Sequence, residues 1–422
     1  MANLKIDLIN INNKELMAIC ENYSELSLKL TKLLSKDDKK NNGIYFTPLD
    51  IIEVAIKELF KLNININSIL EPSCGSCEFI YYIDEKFFNS TIDAIELNDE
   101  IYTNIKNITI KNNILNIYNY DYLEYDKNHN HKYDLIIGNP PYYVMKNQKN
   151  KKYKEFYEGR PNIFILFIIH SLYKLNKNGI LLFVLPKSFL NCIYYNKLRS
   201  HIYKNYNIVN ILDCSKSNYI ETEQETIILI IQNNSNINNG KFAINTNDII
   251  IFNTDQNIQK LKELYNNSVS LNQLNFEVKV GNIVWNQHKL ILTDDKTKTR
   301  LIYSSDIKNS KLLEVQYRNK DKKNYIEKEG INGPLLVVNR GYGKGEYKFD
   351  YCLINVEYNY LIENHLICIK SKDSKINVIS LLELYTKIIN SFKNEKTKEF
   401  VKIYFGNNSI NTTELQFLLP IY

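Results

Sequence analysis

This 422-residue chain has no long hydrophobic run. Its longest, "IFILFIIHSLYKL", is broken by His170 and is too short to span a bilayer, so a transmembrane segment is excluded. It has no signal peptide and no internal repeat. The cysteines, Cys20, Cys74, Cys77, Cys192, Cys214, Cys352 and Cys368, are odd in number and irregularly spaced. That excludes a disulfide framework and points to a reduced, intracellular protein. Cys74 and Cys77 form a C-x-x-C, but no second pair completes a zinc site. Proline is scarce, at 8 residues, so the pair at Pro140 and Pro141 stands out.

What is present is enough apolar sequence, 44%, to exclude a disordered tail. Frequent Asn, Ile, Lys and Tyr look like drift toward A/T-rich codons, so runs such as "NNSNINN" carry no functional reading. The length suggests two or three domains. Of the +6 net charge, none falls in residues 1–240, which hold 27 basic and 27 acidic side chains. The basic excess lies wholly beyond, which suits a polyanionic partner as well as it suits an ordinary Lys-rich surface.

Residues 1–42 read as an amphipathic helical segment. From 43 to 235 helical and strand patterns alternate, from "PLDIIEVAIKELFKL" through "NSILE", "TIDAIEL", "NILNIYNYD", "YDLIIGN" and "ILLFVLP" to "ETIILIIQN". A helix is expected over "NIFILFIIHSLYKLNKNG", closed by Gly179. Alternation of this kind predicts an α/β fold with a doubly wound, mainly parallel sheet and ligands at the strands' carboxyl ends. Residues 240–422 read as a second, irregular α+β domain, with one helix over "VISLLELYTKIINSFKNEKTKEFV" near its end.

Four motifs sit at successive strand ends. "ILEPSCGSCEF" places Gly75 in a tight turn after a strand, where glycine admits a close ligand of nucleoside type. Taken alone it is as often an ordinary loop. Glu96 in "DAIELND" follows about 20 residues on, a spacing that suits a carboxylate accepting ribose hydroxyls. Asp121 in "YNYDYLEY" ends the next strand. Then "GNPPY" removes two N–H donors and fixes two φ angles. It leaves the Asn139 side-chain oxygen and the Pro140 carbonyl as acceptors beside the Tyr142 ring, a combination suited to a planar amine.

In this order the motifs "EPSCGS", "AIELND", "NYDYLEY" and "NPPY" resemble the gamma-class N6-adenine DNA methyltransferases of TaqI type. The likeness covers residues 43–232, including "GIYFTPLDIIEVAI". It implies a Rossmann-like S-adenosyl-L-methionine-binding catalytic domain over 43–235 and a DNA target-recognition domain over 240–422. It implies that Tyr45, Phe46, Thr47, Glu71, Pro72, Ser73, Gly75, Glu96, Asp121, Tyr122 and Asn139 hold the cofactor. Asn139, Pro140, Pro141 and Tyr142 would form the catalytic motif, with Tyr142 and Tyr219 sandwiching the target base. This chain departs from the pattern at Cys77, which stands where the family's cofactor loop usually has a second glycine.

Lys146, Lys149, Lys151, Lys152 and Lys154 after the NPPY motif read as a basic DNA-facing loop or as an ordinary solvated one. Trp285, His288, Lys289, Arg340 and Lys344 are candidate DNA contacts in the second domain. The expected partner is double-stranded DNA, with a companion restriction endonuclease, no membrane and a monomeric state. About 42 residues before the methylase region are too few for a fused nuclease. The same motif also serves RNA and protein-glutamine N-methyltransferases, which stay open as alternatives; a non-catalytic DNA-binding module is the third reading.

Overall fold

A computed structural model describes residues 21–125, 131–145, 151–340, 349–405 and 410–422. The chain divides into two compact units. The first holds 1–245 with 249–258; the second holds 246–248 and 259–422.

The first unit begins with α1 (Glu25–Leu33), α2 (Lys36–Asn42) and α3 (Leu49–Phe60). Ser24 caps α1 by accepting from the Ser27 amide at 3.0 Å. Strands β1 (Ser68–Glu71), β2 (Thr91–Glu96), β3 (Ile114–Asn119) and β4 (Tyr133–Gly138) follow, with α4 (Glu78–Lys86) and α5 (Asp99–Ile105) in the first two crossovers. Then come α6 (Ile163–Tyr173), β5 (Leu175–Pro186), α7 (Asn196–Asn205), β6 (Asn207–Asp213) and β7 (Thr226–Gln232). The seven strands lie in the order β3-β2-β1-β4-β5-β7-β6. The contacts from β3 through to β5 are parallel, and β7 runs antiparallel to both its neighbours. The expected α/β architecture is therefore found.

Period-two alternation builds two cores from one sheet. In β5, Leu181, Phe183 and Leu185 enter one core, and Ile180, Leu182 and Val184 enter the other. In β7, Ile227, Leu229 and Ile231 oppose Ile228 and Ile230 in the same way. Each such side chain, fully buried, contributes roughly 1.5–3 kcal/mol. The helix expected to close at Gly179 ends instead at Tyr173, and Leu175 already pairs with Tyr133 in the sheet. Every residue from Ile163 to Leu172 is buried, so α6 has no polar face whose loss would mark its end. No helix among the described residues is long and apolar enough to cross a membrane.

The second unit is α+β. An antiparallel sheet orders Phe276–Val280, Leu366–Ser371, Leu335–Asn339 and Tyr351–Ile354. A smaller sheet orders Leu292–Thr293, Tyr325–Ile326, Thr299–Ile302 and Tyr360–Ile362. Beside it a buried Arg300–Asp306 ion pair closes at 2.9 Å, and the Tyr317 hydroxyl donates to Asp306 at 2.7 Å. The single helix expected near the end is two, Val378–Phe392 and Glu395–Tyr404. Asn394 restarts the chain as an N-cap, its side chain accepting from the Lys396 amide at 3.0 Å.

Candidate cofactor and acceptor site

The carboxyl ends of β1, β2 and β4 open onto a cavity of about 370 Å³. After Glu71 the chain turns through Gly75, at φ 53°, and Cys77, at φ 67°. The position where a second glycine was expected thus keeps the left-handed backbone glycine favours, and a buried cysteine occupies it. Hydroxyls of Ser24, Ser27 and Ser76 all donate to the Glu78 carboxylate, which fastens α1 to this loop.

Glu96, ending β2, takes the Gly75 amide at 3.0 Å and the Asn98 amide at 2.7 Å. Burial pushes its carboxyl up to about 7, with those amides opposing the shift. Glu71 is 2% exposed, and its Oε2 finds no hydrogen-bond partner among the described residues. Burial first, then Cys77, Glu78 and Glu96, push its carboxyl well above the usual range. Asp121 accepts from the Leu123 amide at 2.9 Å, and the buried Tyr122 hydroxyl pairs with Ser171 at 2.8 Å.

Five acidic side chains line the cavity, Glu71, Glu78, Glu96, Asp99 and Asp121, and among the described residues that line it none is basic. A phosphate-bearing ligand would be repelled there. A ligand bringing positive charge would be favoured, most of all at the unpartnered Glu71 oxygen.

Of the predicted residues, Tyr45, Phe46, Thr47, Glu71, Pro72, Ser73, Gly75, Glu96, Asp121, Tyr122, Asn139 and Pro141 all line this cavity. Pro140 is buried and is not among the lining residues. The Asn139 side-chain nitrogen donates to Thr47 Oγ1 at 3.0 Å and to the Tyr45 carbonyl at 3.3 Å. The Ser73 hydroxyl donates to the Asn139 carbonyl at 3.2 Å. Tyr142 does not line the cavity. Its ring meets Phe164 edge-on at 6.0 Å, and its hydroxyl donates toward Asn139 Oδ1 and the Val184 carbonyl. Tyr219 lies near it and is 8% exposed.

Sequence reasoning passed over Leu97, Tyr143 and Phe167, which also line the cavity. Leu97 is 60% exposed, and a leucine left open directly after the strand-ending acid was the available signal.

Lys146, Lys149 and Lys344 lie outside the described residues, as do the side chains of Lys151 and Lys152. In the second unit Lys289 sits 5.8 Å from the Trp285 ring and pairs with Asp321 at 2.8 Å. His288 is half-buried and Arg340 is exposed.

Residues 16–220 match the Eco57I restriction-modification methylase family. The chain is 27% identical over 394 residues to the type II methyltransferase M.CvrRI of Paramecium bursaria Chlorella virus XZ-6E, covering 92% of this chain and 96% of that protein. It is 25% identical over 410 residues to the modification methylase CviBIII of Paramecium bursaria Chlorella virus NC1A, covering 95% and 99%. Among solved structures it is similar to the protein in a DrdV–DNA complex, with a TM-score of 0.50 at 13% identity, over 93% of this chain and 56% of that one. The match to a methylase family implies S-adenosylmethionine as the cofactor. Its sulfonium and ammonium charges would fit a cavity lined by five acids and, among the described residues, no base.

Proposed function

We propose that this protein is a site-specific DNA methyltransferase that moves the methyl group of S-adenosylmethionine to N6 of an adenine flipped out of double-stranded DNA. The observation that carries the reading is the acceptor cluster at Asn139, held against the rim of a cavity that favours a cationic cofactor. The relatives that span nearly the whole chain carry the names of a type II methyltransferase and a modification methylase, which supports DNA over RNA or protein glutamine. The protein would act as a monomer, beside a separate restriction endonuclease reading the same sequence.

When bound, the cofactor supplies a sulfonium-activated methyl group. The chain supplies position and polarity. The exocyclic nitrogen of adenine is a weak nucleophile because its lone pair is delocalised. Asn139 Oδ1 and the Pro140 carbonyl, accepting its two N–H bonds, would draw it toward tetrahedral geometry and localise that pair. Oδ1 has two lone pairs, so the contact from Tyr142 leaves one for the target amine. Unstacking the base costs a few kcal/mol, offset by stacking on aromatics at roughly 1–3 kcal/mol each. Tyr142 and Tyr219 are assigned that role; Tyr142, half-buried, and Tyr219, buried, must then both turn toward the base.

The direct test is incubation with labelled S-adenosylmethionine and DNA of mixed sequence, followed by digestion to nucleosides. Label is expected in N6-methyladenine. Label only in RNA or in protein glutamine would overturn the substrate, and label in cytosine the base.

Glu96 gives a pH test of the cofactor assignment. Its carboxyl is raised from 4.5 to about 7 in the free protein. The stability this carboxyl contributes is therefore fully present at acid pH and is lost as pH rises through about 7. Cofactor affinity should run the other way, because the ionised form accepts ribose hydroxyls better. The calorimetric dissociation constant is expected to weaken about tenfold from pH 8 to pH 6. Glu96→Gln should remove that step; an unchanged pH profile in this variant would reject the assignment.

A further inference from the structure

An asparagine amide has two ends of nearly equal shape and opposite polarity. Only one orientation serves the chemistry proposed above: Oδ1 must face the target amine, because the flipped amide would oppose N–H to N–H. The groups around Asn139 decide between the two. The Tyr45 carbonyl can only accept, so at 3.3 Å it favours the nitrogen on its side. Tyr142 is neutral on this point. Its single proton reaches both Asn139 Oδ1 and the Val184 carbonyl, 2.8 Å away. In the flipped state the same hydroxyl would donate to Val184 and accept from the amide, so the contacts of Tyr142 itself would be satisfied either way. Burial, and then its neighbour Tyr219, push the Tyr142 phenol well above its usual range, so it stays protonated and keeps both options.

That leaves Thr47. Its Oγ1 accepts from the Asn139 nitrogen at 3.0 Å, the shorter of the two contacts on that side. Thr47 is 7% exposed and lines the cavity, and no described acceptor takes its own proton. With that proton directed into the cavity, the oxygen presents only lone pairs to the amide.

We propose that Thr47 is a positioning residue, whose hydroxyl holds the Asn139 amide with its oxygen outward, toward the amine to be methylated. The inference rests on the reading of Asn139 as the amine acceptor. A threonine that merely bound cofactor would affect affinity. One that sets the amide affects the rate with cofactor saturating.

The experiment compares Thr47→Val, which keeps shape and loses the hydroxyl, with Thr47→Ser, which keeps the hydroxyl. Methyl transfer is measured at saturating S-adenosylmethionine and DNA, with the cofactor dissociation constant from calorimetry and Tm alongside. Thr47→Val is expected to lower kcat about 10- to 100-fold. Thr47→Ser should stay within a few-fold of the unaltered protein, and both should unfold near its Tm. Wild-type kcat in Thr47→Val, with only the dissociation constant raised, would overturn the inference. So would equal loss in both variants, which marks a packing role. If the unaltered protein labels RNA or protein instead of DNA, the substrate reading fails, and the same comparison on that amine still decides Thr47. If no amine takes label, both fall.

Discussion

Asn139→Ala should abolish methyl transfer, lowering kcat by about 10³-fold or more, while cofactor binding stays within a few-fold. The size follows from what the amide is asked to do. Removing one preorganised polar contact from a developing charge typically costs 10²–10³ in rate. Here the same truncation also removes the partner of Thr47 Oγ1 and of the Tyr45 carbonyl, so the acceptor loop loses its anchor along with its acceptor. Each polar group left buried and unpaired costs about 1–3 kcal/mol, so Tm must be measured beside the rate. Asn139→Asp separates the two effects. A carboxylate keeps acceptors toward the amine and can take a hydrogen bond from Thr47, although it faces the Tyr45 carbonyl unfavourably. Activity between that of the unaltered protein and Asn139→Ala is expected. Normal turnover in Asn139→Ala, read by labelled-methyl incorporation, would refute the mechanism.

The parts of this site legible in the sequence are those set by local rules. Glu96 was expected at the sheet's carboxyl edge because a strand that ends in an acid places it there, and it does end β2; Asp121, expected to end the next strand, lies two residues beyond β3 and still lines the cavity. The double proline announced a rigid turn whatever the fold. The two cores were visible in the period-two runs of β5 and β7. The less legible parts depend on contacts between distant segments. Nothing in "GNPPYY" tells which tyrosine turns inward. Tyr142 does so because Phe164 and Val184 offer it an apolar face and a carbonyl, and Tyr143 takes the cavity wall. The end of α6 was misjudged for a related reason, since a helix buried on all sides carries no periodic signal. Cys77 shows the opposite failure. The residue departs from the expected pattern, yet the backbone does not, because the turn into α4 demands φ near 67° from whatever stands there.

The least legible feature is Gly43, and replacing it should have the second large effect. It caps α2 at φ 64° and lies against the acceptor loop, where an added Cβ would come within 2.5 Å of the Tyr142 amide nitrogen and 2.9 Å of its carbonyl carbon. Both neighbours are backbone, so no side chain can swing away to make room. Gly43→Ala therefore meets two penalties: roughly 1–2 kcal/mol for a left-handed alanine and about 1–3 kcal/mol for overpacking. If the loop yields instead of the helix cap, stability recovers in part and the rate falls, because Asn139 and Tyr142 move with their backbone. A stability loss of about 2–5 kcal/mol in urea unfolding, or a drop in kcat of about 10²-fold with milder destabilisation, are the two forms the result takes. A control at Gly159, which also has a positive φ, 63°, but no described atom within 4 Å of its Cβ position, separates strain from contact. Gly159→Ala should show only the left-handed penalty and keep its turnover. Were Gly43→Ala to match it in both stability and rate, the close approach to Tyr142 would have no part in holding the acceptor loop.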